Sequence, residues 1–163
     1  MNLAGIIHES IVDGQGIRTV LFISGCKHNC YNCQNKELQN KNYGIPFTSA
    51  IENKIINYIK NDILVDGITL SGGDPMYSAK ELIPFLQKFK TAFPNKTVWL
   101  YTGFLFESIQ DNPIMNYIDV VVDGKYDEKL NDYQQIFKGS SNQRIIDTQK
   151  SLQNNQIVLY KLD

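Results

Sequence analysis

Gly67-Ile-Thr-Leu-Ser-Gly-Gly-Asp-Pro-Met-Tyr-Ser-Ala-Lys-Glu81 carries a strand, a turn and a helix start in quick succession. Asp66-Gly67 breaks the preceding segment, and Ile68-Thr-Leu70 reads as a short strand running into Ser71-Gly-Gly-Asp-Pro75. Ser78 and Glu81 have the spacing of a capping box, in which side chains satisfy the backbone N–H groups that a first helical turn leaves free. Leu82, Phe85, Leu86, Phe89 and Phe93 then recur at helical spacing and predict one apolar face. Pro84 lacks a helical donor and predicts a kink or a later start; Pro94-Asn95 ends the helix.

The same alternation extends in both directions. Thr19-Val-Leu-Phe-Ile23 reads as a buried strand closing on Ser24-Gly25. A second capping box, Ser49-x-x-Glu52, opens a helix with Ile51, Ile55 and Ile59 on one face. Thr97-Val-Trp-Leu-Tyr101 and Asp119-Val-Val-Val-Asp123 are further strands, closing on Thr102-Gly103 and Gly124. Residues 104–117 read as short helical turns broken at Pro113, and the text after residue 125 is polar and rich in Asn and Gln. Arg144-Ile-Ile146 and Gln156-Ile-Val-Leu-Tyr160 are expected as final strands with a short helix between them.

Strands alternating with helices imply right-handed crossovers and a parallel sheet. Ligands of such sheets bind beyond the carboxyl ends of the strands. There the chain places Ser24-Gly25, Ser71-Gly72-Gly73, Thr102-Gly103 and Asp123-Gly124, which predicts one rim built around a ligand. The chain has 163 residues, enough for one domain (residues 1–163) but fewer than the ~250 of a full eight-fold barrel. A formal net charge of −1 draws the protein to neither nucleic acid nor an anionic membrane. No secretory signal and no membrane span are read, and a cytoplasmic setting is expected.

All three cysteines fall in Cys26-Lys-His-Asn-Cys30-Tyr-Asn-Cys33, directly after the Thr19–Ile23 strand. An odd, clustered set argues against a disulfide framework and for reduced thiols. The spacing supplies three thiolates to one 4Fe-4S cluster and leaves a fourth iron without a protein ligand, so that it can bind a substrate. Zinc competes, since His28 or His8 would complete four ligands, although His28 sits cramped between two of the cysteines. Unrelated thiols are the third reading.

C-x3-C-x2-C after one strand, with a Gly-Gly-acid motif after the next, resembles the radical S-adenosylmethionine enzymes. Asp13-Gly-Gln-Gly-Ile-Arg-Thr-Val-Leu-Phe22 is similar to a segment of the glycyl-radical-enzyme activases. Ser71–Pro75, Trp99-Leu-Tyr-Thr-Gly103, Val122-Asp-Gly-Lys125 and Gly139-Ser-Ser-Asn-Gln-Arg144 look like the branch that activates anaerobic (class III) ribonucleoside-triphosphate reductase. The resemblance runs from about residue 5 to about residue 152. It implies an α/β fold, an incomplete TIM-like barrel of about five to six mostly parallel strands whose open side admits a peptide loop. It implies as cofactors a 4Fe-4S cluster with one open iron and S-adenosyl-L-methionine. The chemistry implied is reductive cleavage of that cofactor and abstraction of a Cα hydrogen from a glycine of the reductase large subunit. A one-electron donor such as a flavodoxin is the second partner implied.

Carried over by position, Cys26, Cys30 and Cys33 would be the iron ligands. Asn32 and Gln34 would lie against the adenosyl group, and Ser71, Gly72, Gly73 and Asp74 would hold the amino end. Thr102 and Asp123 would reach the ribose and methionine, and Lys125 the methionine carboxylate, against the alternative of a solvated surface lysine. Arg18 is expected to make a structural salt bridge or a substrate contact. His28 and His8 receive no catalytic role, with His28 left a possible hydrogen bond to sulfur. Gln15 and Asn32 depart from the wider pattern, where proline and an aromatic residue are usual. An activase for a formate-lyase type enzyme, and a plain electron carrier or zinc module, are the competing functions.

Overall fold

A computed structural model describes residues 1–132 and 134–162. Among the described residues, seven strands form one open sheet: β1 (Asn2–Ser10), β2 (Arg18–Ile23), β3 (Ile45–Pro46), β4 (Gly67–Gly72), β5 (Thr97–Tyr101), β6 (Val120–Asp123) and β7 (Arg144–Asp147). Their order is β3-β1-β2-β4-β5-β6-β7. β2, β4, β5 and β6 run parallel, whereas β1, β3 and β7 pair antiparallel at the two sides. The architecture is α/β with a parallel centre and no closure, in keeping with a partial barrel, although the strands number seven.

The two extra strands lie where sequence signals are weakest. β1 carries two register shifts along its pairing with β2, and β3 is two residues long. The cysteine loop therefore follows the second strand of the chain, not the first. Gln156–Tyr160 does not form a strand of its own. Leu159 makes an isolated bridge to Ile146, flanked by bonds from Asp147 N to Val158 O and from Tyr160 N to Ile145 O, both 2.9 Å.

Helices α1 (Ser49–Asn61) and α2 (Ala79–Ala92) cross between the parallel strands, with short α3 (Phe106–Ile109) and α4 (Thr148–Asn154) completing that layer. Leu82, Phe85, Leu86 and Phe89 of α2 are fully buried against Ile68, Leu70, Val98 and Leu100 of the sheet. Each such side chain contributes roughly 1.5–3 kcal/mol. Neither capping box forms. α1 is capped by Thr48 without a side-chain bond, Glu52 pairs with Lys88, and Glu81 binds the terminal amine of Met1. Pro84 lies inside α2, which starts at Ala79. It sits on the exposed side of the helix, where a carbonyl left without an intrahelical donor is open to solvent. Pro113 likewise opens a 3-10 turn, Pro113–Tyr117, capped by Asn112.

The other face of the sheet is concave and differently composed. Side chains alternate along each strand, so Arg18, Thr69 and Trp99 meet at its base. Arg18 is completely buried, and the described contacts give it no carboxylate partner. Its Nε donates to Thr69 Oγ1 (2.8 Å). Nη1 donates to the Gln15 carbonyl (3.1 Å) and Thr97 Oγ1 (2.9 Å), and Nη2 to the carbonyls of Ile68 (2.6 Å) and Thr97 (2.9 Å). These acceptors employ all five guanidinium N–H groups. Burial lowers the Arg18 pKa to about 10, so the group stays charged at neutral pH. Arg18 is thus neither a salt bridge nor a substrate contact but the plug of the floor. Gln15 meets Arg18 through its backbone carbonyl, a group that proline also has.

Candidate functional site

At the opposite, carboxyl ends of the strands, the loop from Ser24 to Gly44 folds back over the rim. Its backbone is pinned by bonds from Gly25 N to Leu38 O (2.7 Å), Cys26 N to Gln39 O (3.2 Å) and Asp74 N to Gly25 O (2.9 Å). Asn35 Nδ2 reaches Gly72 O at 3.1 Å. The double glycine is what lets these segments touch. Gly72 has φ +110°, and a Cβ there would meet Ile23 backbone atoms at 2.6 Å. A Cβ on Gly73 would meet the carbonyl oxygens of Gly25 and Leu38 at 2.6 and 2.7 Å. The glycines admit the cysteine loop itself.

Within the loop, Asn29 and Asn32 both adopt positive φ, 50° and 51°. Asparagine tolerates this left-handed conformation better than most residues, and aromatic side chains tolerate it poorly. Asn32 is thus well suited to the backbone conformation of its place in the loop. Its exposed side chain donates to Glu128.

Cys26, Cys30 and Cys33 are free, partly buried, and line one cavity of about 840 Å³. Gln34, Ser71, Gly72, Gly73 and Thr102 line it too, which brings eight of the expected site residues together. Burial pushes the Cys26 thiol up, opposed by the His28 N–H at 3.4 Å from its sulfur. Burial also raises Cys30, opposed by the Lys125 charge and the Tyr126 N–H. Thiols held protonated in this way must release protons to bind metal. Among the described residues no three His, Cys, Asp or Glu side chains converge on a single-ion centre. A closed tetrahedral zinc site demands that convergence, whereas a cubane cluster takes thiolates spread around it. Three thiols on one wall, with room beside them typical of small-molecule pockets, fit a cluster plus an organic ligand.

Asn32, Asp74, Asp123 and Lys125 do not line the cavity. Asp123 is fully buried beneath the rim, where its carboxylate accepts from Phe106 N (2.8 Å) and pairs with Arg144. The guanidinium of Arg144 also forks onto Glu107 at 3.0 and 2.8 Å. Lys125 is exposed beside Cys30. Asp74, 1% exposed, is committed to protein donors: Met76 N (3.0 Å), Thr102 Oγ1 (2.9 Å), Gly103 N (2.9 Å) and His28 Nε2 (2.7 Å). The described bond to sulfur comes from the backbone of His28, while its ring turns to Asp74.

Phe22 and Tyr101 inside the cavity, and Ile7, Ile11, Val12 and Ile136 around it, were not singled out by sequence. The Thr69-Leu70-Ser71 alternation is the signal that would have marked an inner face. The Gly139–Arg144 segment works as a clasp. Gln143 Oε1 accepts from Gly139 N (2.8 Å) and Ser140 N (3.2 Å), while its Nε2 donates to Gly124 O (2.9 Å). The clasp closes the base of the 125–142 loop, whose Ile136 and Phe137 border the cavity.

Comparison with known proteins agrees with this geometry. Residues 12–146 match the family described as a 4Fe-4S single cluster domain. The anaerobic ribonucleoside-triphosphate reductase-activating protein of Escherichia coli K12 is 40% identical over 149 residues, covering 88% of this chain and 96% of that protein. The protein of the same name from Haemophilus influenzae is 36% identical, covering 89% and 97%. That of Enterobacteria phage T4 is 36% identical, covering 89% and 93%. With cysteines, glycines and cavity assembled on one rim, the chain belongs to the family of anaerobic ribonucleoside-triphosphate reductase-activating proteins.

Proposed function

We propose that this chain, acting as one domain over residues 1–163, generates the glycyl radical of an anaerobic ribonucleoside-triphosphate reductase. The supporting observation is the placement of three free cysteines and Gly72-Gly73 around one open cavity, joined to the names its relatives carry. Cys26, Cys30 and Cys33 would hold a 4Fe-4S cluster. Gln34, Ser71, Gly72, Gly73 and Thr102 would border S-adenosylmethionine, with Asn32 and Lys125 at the loop margin. When bound, these groups supply one-electron cleavage of the sulfonium and a hydrogen-abstracting adenosyl radical.

The chain's own contribution is alignment and shelter. Phe22 and Tyr101 wall the cavity with apolar surface, and the Tyr101 hydroxyl is tied to the Phe137 carbonyl at 2.8 Å. The saturated floor leaves only the rim and the open side for entry. A glycine-bearing segment of the reductase would enter there, and a flavodoxin-like donor would deliver the electron. Reduced thiols favour a cytoplasmic setting. Among the described residues no helix is long and apolar enough to cross a membrane.

The deciding experiment is anaerobic. The reconstituted, reduced protein is mixed with S-adenosylmethionine and each candidate partner, and the glycyl signal is sought by electron paramagnetic resonance. A signal on the reductase is expected. A signal only on a formate-lyase type enzyme would sink the narrower assignment, and a cluster spectrum indifferent to S-adenosylmethionine would sink the enzymatic one.

A further inference from the structure

His28 and Asp74 are joined across 46 residues of sequence by the 2.7 Å contact between Nε2 and Oδ2. The histidine ring occupies a built socket. Gly103 forms one side, where a Cβ would come within 2.6 Å of the ring. Phe104 meets it edge-on at 4.6 Å between centroids, and Tyr77 lies at 5.6 Å. Its side chain is 14% exposed. The socket thus draws on the turns that follow β4 and β5, while the ring belongs to the cysteine loop.

Asp74, for its part, is 1% exposed and does not line the cavity. Three donors crowd its Oδ2 at 2.7–2.9 Å (His28 Nε2, Thr102 Oγ1 and Gly103 N), and Met76 N donates to its Oδ1 at 3.0 Å. Three of those donors, Met76 N, Thr102 Oγ1 and Gly103 N, come from the frame, and the fourth comes from the loop. We propose that Asp74 is a positioning residue which, through His28, clamps the cysteine loop onto the strand ends before any cluster is present, and that it does not touch S-adenosylmethionine. The amino end of the cofactor then falls to Ser71 and the backbone of Gly72 and Gly73, which border the cavity as Asp74 does not. This inference rests on the cysteines being the cluster ligands, but the clamp itself is a property of the iron-free chain.

Two substitutions separate the clamp's components. His28→Phe keeps a ring for the socket and loses the anchor; His28→Gln loses the ring and keeps an amide N–H at about the reach of Nε2. Amide hydrogen exchange on the iron-free full-length chain is the first readout. His28→Phe should speed exchange across residues 26–34 roughly tenfold or more, the scale of losing a hydrogen bond to a charged group. His28→Gln should restore most of the protection. Anaerobic reconstitution is the second readout. His28→Phe should load less cluster, while the cluster that does load still changes its resonance spectrum on adding S-adenosylmethionine. Asp74→Asn should copy His28→Phe in both measurements.

Wild-type exchange rates in His28→Phe would overturn the clamp. So would an Asp74→Asn protein that keeps an ordered loop and a full cluster but no longer responds to S-adenosylmethionine, because Asp74 would then be a direct contact. If Asp74→Asn fails to fold, the two His28 variants decide. Failure of the wild type itself to load a cluster would sink the proposed function and leave the exchange result standing.

Discussion

The floor and the rim of the concave face each bury an ion, and they hold it for different ends. Arg18 at the floor hands its five N–H groups to acceptors from β4, β5 and the loop before β2. The strands it bridges are already in register, so the guanidinium mainly fills space and satisfies carbonyls. Asp74 at the rim gathers donors from three chain segments, one of which, His28, lies between two cysteines. There the bonds hold a loop that has no strand register to hold it. The contrast matches the usual division in parallel sheets, with stability at the amino ends and chemistry at the carboxyl ends.

The largest expected effect tests the rim. Cys26→Ala, Cys30→Ala and Cys33→Ala should each abolish cleavage of S-adenosylmethionine while leaving the melting temperature of the iron-free chain within a few degrees. Substantial cleavage by any one variant would contradict the ligand set. Next comes the floor. Arg18→Leu strands buried acceptors and should destabilise the iron-free chain by about 3–5 kcal/mol in chemical denaturation. Arg18→Lys should recover little of that, since an ammonium has three donors and no planar fork. An Arg18→Leu chain of wild-type stability would erase the distinction between the two ends.

A glycine pair sharpens it further. Gly73→Ala drives a methyl group into two backbone carbonyls and should cost about 1–3 kcal/mol. Because both carbonyls belong to the cysteine loop, cluster loading should fall as well. Gly5→Ala, with no atom within 4 Å of the new methyl, should leave both unchanged.

The smallest effect concerns acid. Hydrogen bonds from Arg144 pull the Glu107 pKa down from 4.5 to about 2. A carboxylate lowered on folding adds stability that is complete above pH 4.5 and lost as pH falls toward about 2. Glu107 is half exposed, so solvent screening limits the contribution to about 1 kcal/mol or less. Glu107→Gln should remove that part of the acid sensitivity in melting curves taken across the window. The remaining acid response belongs to other carboxylates.

The alternation of strand and helix was legible because α1 and α2 announce themselves by apolar spacing and the parallel strands by β-branched runs. The cysteine cluster was legible because all three cysteines of the chain fall between residues 26 and 33. β1 and β3 were not, since one is broken by bulges and the other spans two residues. The capping boxes misled because Ser49 and Ser78 have the right spacing but their acidic partners are drawn away, Glu52 to Lys88 and Glu81 to the terminal amine. Asp123 and His28 show a different limit. Whether a polar residue at a strand end faces a ligand or a neighbour depends on what the rest of the chain brings opposite, here Arg144 and Asp74. No local pattern encodes such long-range pairings.

Trp99 is the chain's sole tryptophan, buried at the base with the Arg18 guanidinium 5.5 Å from its ring. Phe137, from the loop clasped by Gln143, meets the same ring edge-on at 5.6 Å. Its intrinsic fluorescence is therefore a native optical gauge, reading the seating of that loop without any attached dye.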